Sequence, residues 1–280
     1  MTAIAAEHAR SWLLASGAYP ETFAYLALTG PDAVILDLED GVPANDKADA
    51  RRSVATFLDH TGAQNIWIRV NAIGTTEWEH DIVELSRIGT FGGVMLSKCE
   101  SPEQIELTAR RLGGRVPMIA LVESALGVER AFEIATTPST VRLAFGIGDF
   151  RRDTGAAPTP DALAYARSRL VVASRAAGIA APIDGPTLAE NRQPLIEDLQ
   201  VARAIGMTGK LCLTDSQISD INRELSPSPR EVQWAQELVD ASGTDGAPIR
   251  DGSDLPRLAQ ARRILELTDI FATEQAANSR

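Results

Sequence analysis

Cysteine is scarce: Cys99 and Cys212 are the only two in a chain of 280 residues, far apart and in no CxxC pair. That argues against a disulfide framework and a thiolate zinc site, so both are read as structural. No apolar run approaches the roughly 18 residues of a membrane span, and MTAIAAEHAR at the start lacks the apolar segment of a secretion signal. A cytoplasmic protein with no membrane partner is expected. Positive charge is also short, with 27 Lys and Arg against 38 Asp and Glu and a net charge of −11. Nucleic acid is therefore a poor partner, and a small anionic ligand would need a local basic or metal site. Nucleotide-loop glycines are missing too: GIGD (146–149) has neither GxGxxG nor a Walker lysine. Close approach of the Gly148 backbone to a small ligand is the better reading of that segment.

What the chain does have is a recurrence of short apolar runs. WLLAS (12–16), VILDL (34–38), IWIRV (66–70), GVMLS (93–97), MIALV (118–122), LAFGI (143–147), IAAPI (179–183) and KLCLT (210–214) are of strand length. Between them lie stretches with helical spacing and capping signals, such as Ser101-Pro102 followed by Glu103 and Gln104. The runs are continuously apolar, as in strands covered on both faces, which predicts parallel pairing with right-handed helical crossovers. Eight such units predict an α/β fold, a (β/α)8 TIM barrel over residues 1–217. Residues 218–280 depart from the period. Two helical segments, 226–241 and 255–272, flank the loop SGTDGAPIRDGSD, and are read as a C-terminal helical extension or lid packing on its own barrel or a neighbouring subunit.

In such a barrel the chemistry lies at the carboxyl ends of the strands. There the sequence offers Asp37, Glu39 and Asp40, then Arg69 and Asn71, Lys98, Glu123, Asp149 and Asp184. A single carboxylate in this position is most often a cap or an ion-pair partner. Asp37, Glu39, Glu123 and Asp149 near one axis need cations, and Arg69 and Lys98 supply only two charges. A divalent metal in an all-oxygen site, Mg²⁺ first and Mn²⁺ as the alternative, balances the remainder. His8, His60 and His80 fall outside the strand ends, which argues against a zinc hydrolase or a Ser-His-Asp site. Arg10 is read as a surface charge, and Tyr19, Phe23, Trp67 and Trp78 as packing residues.

RSWLLASGAYPETF, VILDLEDGV followed by KADAR, IWIRVNAIGT, VMLSKCES, ALVESALGV and FGIGD stand in an order that resembles the HpcH/HpaI aldolase and citrate lyase family, in its citrate lyase beta subunit-like branch. The resemblance spans nearly the whole chain. It implies a Mg²⁺-dependent (β/α)8 enzyme, commonly a homotrimer, that makes or breaks a carbon-carbon bond between a 2-oxo acid or acyl-CoA and an acid partner. By position it implies Glu123 and Asp149 as metal ligands and Arg69 as the catalytic cation. Asp37, Glu39 and Asp40 then hold metal waters and orient Arg69 and Lys98. Arg69, Lys98, Gly148 and Thr214 are the candidate substrate contacts. Three positions depart from the family pattern. Tyr19 stands where a basic residue is usual, Thr214 and Asp215 stand in LTDSQ where the family has a His-Pro pair, and GSDLP is a shortened GxMxDxP segment. Its Asp254 inherits the role of an acid or base acting across a subunit boundary.

The resulting expectation is a carbon-carbon lyase acting on a hydroxyacyl-CoA such as malyl- or citramalyl-CoA, or on a smaller free hydroxy acid. Two other readings stand beside it: a thioesterase acting on the same CoA esters, and a carrier-dependent or non-catalytic subunit that binds a 2-oxo acid or dicarboxylate.

Overall fold

A computed structural model of the chain describes residues 4–61, 65–114, 116–189, 191–242 and 254–278. Eight strands are β1 (Ser11–Ser16), β2 (Ala33–Asp37), β3 (Ile66–Val70), β4 (Gly93–Leu96), β5 (Met118–Val122), β6 (Thr140–Phe145), β7 (Ile183–Asp184) and β8 (Gly209–Cys212). They close in sequential order into a parallel barrel, with β1 pairing both β2 and β8. The helices are α1 (Phe23–Leu28), α2 (Lys47–Thr61), α3 (Thr76–Leu85), α4 (Pro102–Arg111), α5 (Ala125–Glu129), α6 (Ala131–Ala135), α7 (Ile147–Thr154), α8 (Pro160–Ala177), α9 (Arg192–Ile205), α10 (Ile218–Glu224), α11 (Pro229–Ser242) and α12 (Asp254–Asn278). This is the expected (β/α)8 barrel. The loop at 243–253, with its proposed lid role, lies outside the described residues.

Local chemistry starts the helices where the chain leaves a strand end. Ser101 and Gln104 form a reciprocal capping box at α4, and Thr75 accepts the Trp78 amide at α3, satisfying donors that a helix start leaves open. The seventh apolar run does not become the strand it predicts. Only its last residue, Ile183, joins β7. Pro182 has no N–H to give to a ladder, and the Ala181 carbonyl accepts instead from Arg142 Nε at 2.7 Å.

Within each strand, alternate residues face the barrel interior and the helices. Trp12, Ile35, Trp67, Met95, Ile119, Leu121, Ala144, Ile183 and Leu211 pack inside, and the intervening Val34, Leu36, Ile68 and Val94 pack outward beneath the helical ring. Arg142, fully buried at the amino-terminal end, donates to the carbonyls of Ala6 and Ala9 at 2.9 and 2.7 Å and to Thr208 Oγ1 at 2.8 Å. Burial lowers its pKa to about 9.

Helix α10 packs on α9 and β1 and completes the eighth βα unit, while α11 and α12 pack on each other. Helix α12 then reaches the amino-terminal end of its own barrel, where Leu267, Ile270 and Phe271 join Ile4 and Trp12. Arg10 is not a surface charge. It is 4% exposed, forks onto Asp32 at 2.8 and 2.9 Å, and lies 3.8 Å from the centre of the Phe271 ring. Tyr19, in turn, is no packing residue, being 58% exposed. Both cysteines are buried, and burial pushes each thiol up to about 12, as suits structural residues.

Candidate active site

Strand parity decides which side chains meet at the carboxyl end. Ile35, Trp67 and Leu121 face inward, so the residues two positions further along, Asp37, Arg69 and Glu123, top the same interior columns. Asp37 grips Arg69 in a fork, with Nε donating to Oδ1 at 2.7 Å and Nη2 to Oδ2 at 2.6 Å. The same carboxylate accepts the backbone N–H groups of Glu39 and Gly41, both at 2.8 Å. One side chain thus fixes both the arginine and the acidic loop. Burial works against the charge on Arg69, but Asp37, Glu39 and Glu123 outweigh it and raise the guanidinium above its ordinary value. It is a permanent cation.

Glu39 sits between two cations. Its Oε2 is 3.4 Å from Arg69 Nη1, and its Oε1 pairs with Lys98 Nζ. Lys98 Nζ also lies 3.3 Å from Asp40 Oδ2 and 3.8 Å from Asp149 Oδ2. Burial opposes the Lys98 charge, yet Glu39, Asp40 and Glu123 more than offset this and raise its pKa. Asp40 is lowered, because Lys98 and Arg69 outweigh the burial that acts the other way.

Glu123 is 7% exposed and accepts the Lys98 backbone N–H on Oε1 at 2.7 Å. Burial, helped by the charges of Glu39 and Asp149 and opposed by that hydrogen bond, pushes its carboxyl up to about 8. Gly146 makes room for it: a Cβ at 146 would lie 2.5 Å from the Glu123 Cβ. Asp149 enters from the first turn of α7. Its Oδ2 is buried and accepts no hydrogen bond, although Arg152 Nη2 lies 3.2 Å away. A protonation-prone carboxyl beside a carboxylate oxygen without a donor is what a hard divalent cation would satisfy. Among the described residues no three His, Cys, Asp or Glu side chains converge into a closed metal cage. Mg²⁺ needs none, since it is held by one or two carboxylates and keeps the other positions for water or substrate oxygens. Glu123 and Asp149 fit it.

The model of the HpcH/HpaI aldolase/citrate lyase family matches residues 10–214, and that of the HpcH/HpaI aldolase C-terminal domain matches residues 230–272. The chain belongs to the HpcH/HpaI aldolase/citrate lyase family. A citrate lyase subunit beta-like protein of Deinococcus radiodurans is 31% identical over 277 residues, covering 91% of this chain and 96% of its own. The mitochondrial citramalyl-CoA lyase of Homo sapiens is 31% identical over 267 residues, covering 84% of this chain and 78% of its own. The crystal structure of the Mycobacterium tuberculosis protein CitE in complex with magnesium, acetoacetate and coenzyme A superposes with a TM-score of 0.77 at 29% identity, over 93% of this chain and 98% of that one.

For this member of the HpcH/HpaI family, the structure gathers Asp37, Glu39, Asp40, Arg69, Lys98, Glu123 and Asp149 at one mouth. Gly148, exposed in the first turn of α7, has nothing within 4 Å of where a Cβ would stand, so a ligand has room to reach its backbone. Two other predicted residues lie apart from this cluster. Thr214 lines a recess with Thr187, Leu188, Leu213 and Gln217, between the loops after β7 and β8. Asp254 opens α12, the helix whose other half packs at the opposite end of the barrel. Asp184 is not at the mouth. It follows the inward Ile183, so it faces the helices, where Arg167 and Lys210 each hold it at 2.9 Å. Asn71 is scaffolding, bonded to Leu38 and Asp81.

Sequence reasoning missed Lys47, whose Nζ donates to the carbonyls of Leu38 and Glu39 and to Asn71 Oδ1, at 2.8, 2.9 and 2.8 Å. It pins the acidic loop from the start of α2. The KADAR block contains it, but nothing in those letters says that the ammonium turns back to the preceding strand end.

Proposed function

We propose that the chain is a Mg²⁺-dependent carbon-carbon lyase of this family acting on a CoA ester, with malyl- or citramalyl-CoA as the leading substrates. The observation that carries the reading is a fixed guanidinium, Arg69, in the same mouth as two carboxylates, one pushed up to about 8 and one with a buried oxygen lacking a hydrogen bond. Relatives named as a citramalyl-CoA lyase and a magnesium and coenzyme A complex support the same chemistry.

Glu123 and Asp149 would hold the metal, which when bound supplies Lewis-acid polarisation of a 2-oxo acid's carboxylate and keto oxygens. In the cleavage direction the substrate hydroxyl loses its proton, and the electrons of the breaking carbon-carbon bond pass into an enolate of the thioester. A 2-oxo acid is the other product, and protonation of the enolate carbon gives the shortened acyl-CoA. Arg69 meets the charge that develops, and its fork with Asp37 means that it does not have to reorganise as the bond breaks. Lys98 and the amide-rich start of α7 at Gly148 complete the face presented to the substrate. Thr214 is proposed at the acyl arm, and Asp254 of a neighbouring subunit as the proton-transfer group.

Incubation with each CoA ester, with and without Mg²⁺, tests the reading by product analysis. Equal amounts of acetyl-CoA and 2-oxo acid, formed only with Mg²⁺ and lost in Arg69→Ala, are expected. Free CoA with intact hydroxy acid would make the protein a thioesterase instead.

A further inference from the structure

Lys98 has a backbone φ of +51°, and among the described residues Ser139 is the only other non-glycine residue with positive φ. A lysine adopts that conformation only where its surroundings over-determine it, and such outliers gather at functional sites. Both ends of the residue account for it here. The kink turns the backbone N–H onto Glu123 Oε1 at 2.7 Å, and pairing with β5 resumes one residue later, at Cys99 N–H to Leu121 O, 3.0 Å. The side chain meanwhile crosses the mouth to Glu39.

Glu39 is the carboxylate that this contact restrains. It is buried, its two cations are Lys98 and Arg69, and its charge already bears on Glu123. A divalent ion held by Glu123 and Asp149 would attract it as a third ligand, and a third carboxylate takes one of the metal's positions and sets a further negative charge against an anionic substrate. We propose that Lys98 is a positioning residue that holds the Glu39 carboxylate away from the metal bound by Glu123 and Asp149, and so keeps coordination positions open for substrate. The inference rests on the reading of Glu123 and Asp149 as metal ligands and goes beyond it by giving Lys98 a role other than touching the substrate.

Calorimetry on the full chain tests it, with Mg²⁺ alone and then pyruvate at saturating Mg²⁺. Lys98→Met should bind Mg²⁺ about tenfold more tightly, because a nearby positive charge is lost and a carboxylate is gained. It should bind pyruvate at least about tenfold more weakly, because a coordination position is taken and a further negative charge faces the pyruvate carboxylate. Adding Glu39→Gln to Lys98→Met removes the competing carboxylate and should restore pyruvate affinity to within about threefold of the wild type. Lys98→Gly, which suits the backbone and keeps the N–H, should behave like Lys98→Met. Weakened or unchanged binding of Mg²⁺ in both Lys98 variants, or a pyruvate defect that Glu39→Gln leaves in place, overturns the proposal. If Glu123→Gln and Asp149→Asn bind Mg²⁺ as the wild type does, the metal-site reading fails instead, and that outcome is separate from any result at Lys98.

Discussion

Glu123 carries the clearest pH dependence in the mouth. Without metal its carboxyl sits near 8, against an ordinary value of 4.5, so between those limits the folded protein holds a proton that the unfolded chain has released. The sign follows from linkage: the contribution of this group to stability falls as pH rises from about 4.5 to about 8, and is level beyond. As a proposed ligand of Mg²⁺, Glu123 must give up that proton, so the metal's affinity should rise with pH up to about 8. Titration at pH 7 in buffers of different ionisation enthalpy should report a proton released as Mg²⁺ binds. A binding constant independent of pH from 6 to 9 would rule this out. That Asp37, Arg69 and Glu123 come together at one mouth was legible because each closes an apolar run at the carboxyl end of its strand. Asp184 was misplaced by the same logic, since β7 begins with the inward Ile183 and the next residue must face the helices.

Helix α12 acts at the scale of elements. Phe271 is buried against Arg10 and the amino-terminal layer of the barrel, so Phe271→Ala should cost about 3 kcal/mol in urea unfolding. The proposed metal site lies at the opposite end of the strands, so Mg²⁺ affinity in the native variant should not change. A loss of stability well under 1 kcal/mol would mean that α12 is not part of the barrel's own core. The sequence marked α12 as helical but not its seat, because the contact depends on Arg10 being drawn inward by Asp32, 22 residues away. Likewise, IAAPI has the apolar content of a strand and fails as one through its proline and the diversion of the Ala181 carbonyl to Arg142. Apolar content is visible locally, whereas the partners that claim a backbone group are not.

For the whole molecule, the proposed role of Asp254 across a subunit boundary makes a sharp prediction. Mixed oligomers of Asp254→Asn and Glu123→Gln subunits, each inactive alone, should regain part of the activity, because some mouths then combine an intact Glu123 with a neighbour's intact Asp254. Activity that stays at background in sedimentation-verified mixed oligomers would place the proton-transfer group within one chain.

The two-residue β7 has a consequence for how the ring comes apart. A closed ring has no frayed end, so opening has to start at a joint between strands, and the joints on either side of β7 carry the shortest ladders, a single register pair to β6 and two to β8. Buried charge supports them in place of ladder length: Asp184 lies between Arg167 and Lys210, and those two cations outweigh burial and lower its pKa. A lowered carboxyl stabilises above its unfolded value of 3.8 and loses that contribution as pH falls below it. Hydrogen exchange measured on acidification should therefore show the amides of β7 and β8 losing protection before those of β2 to β5, with the barrel unzipping from one seam.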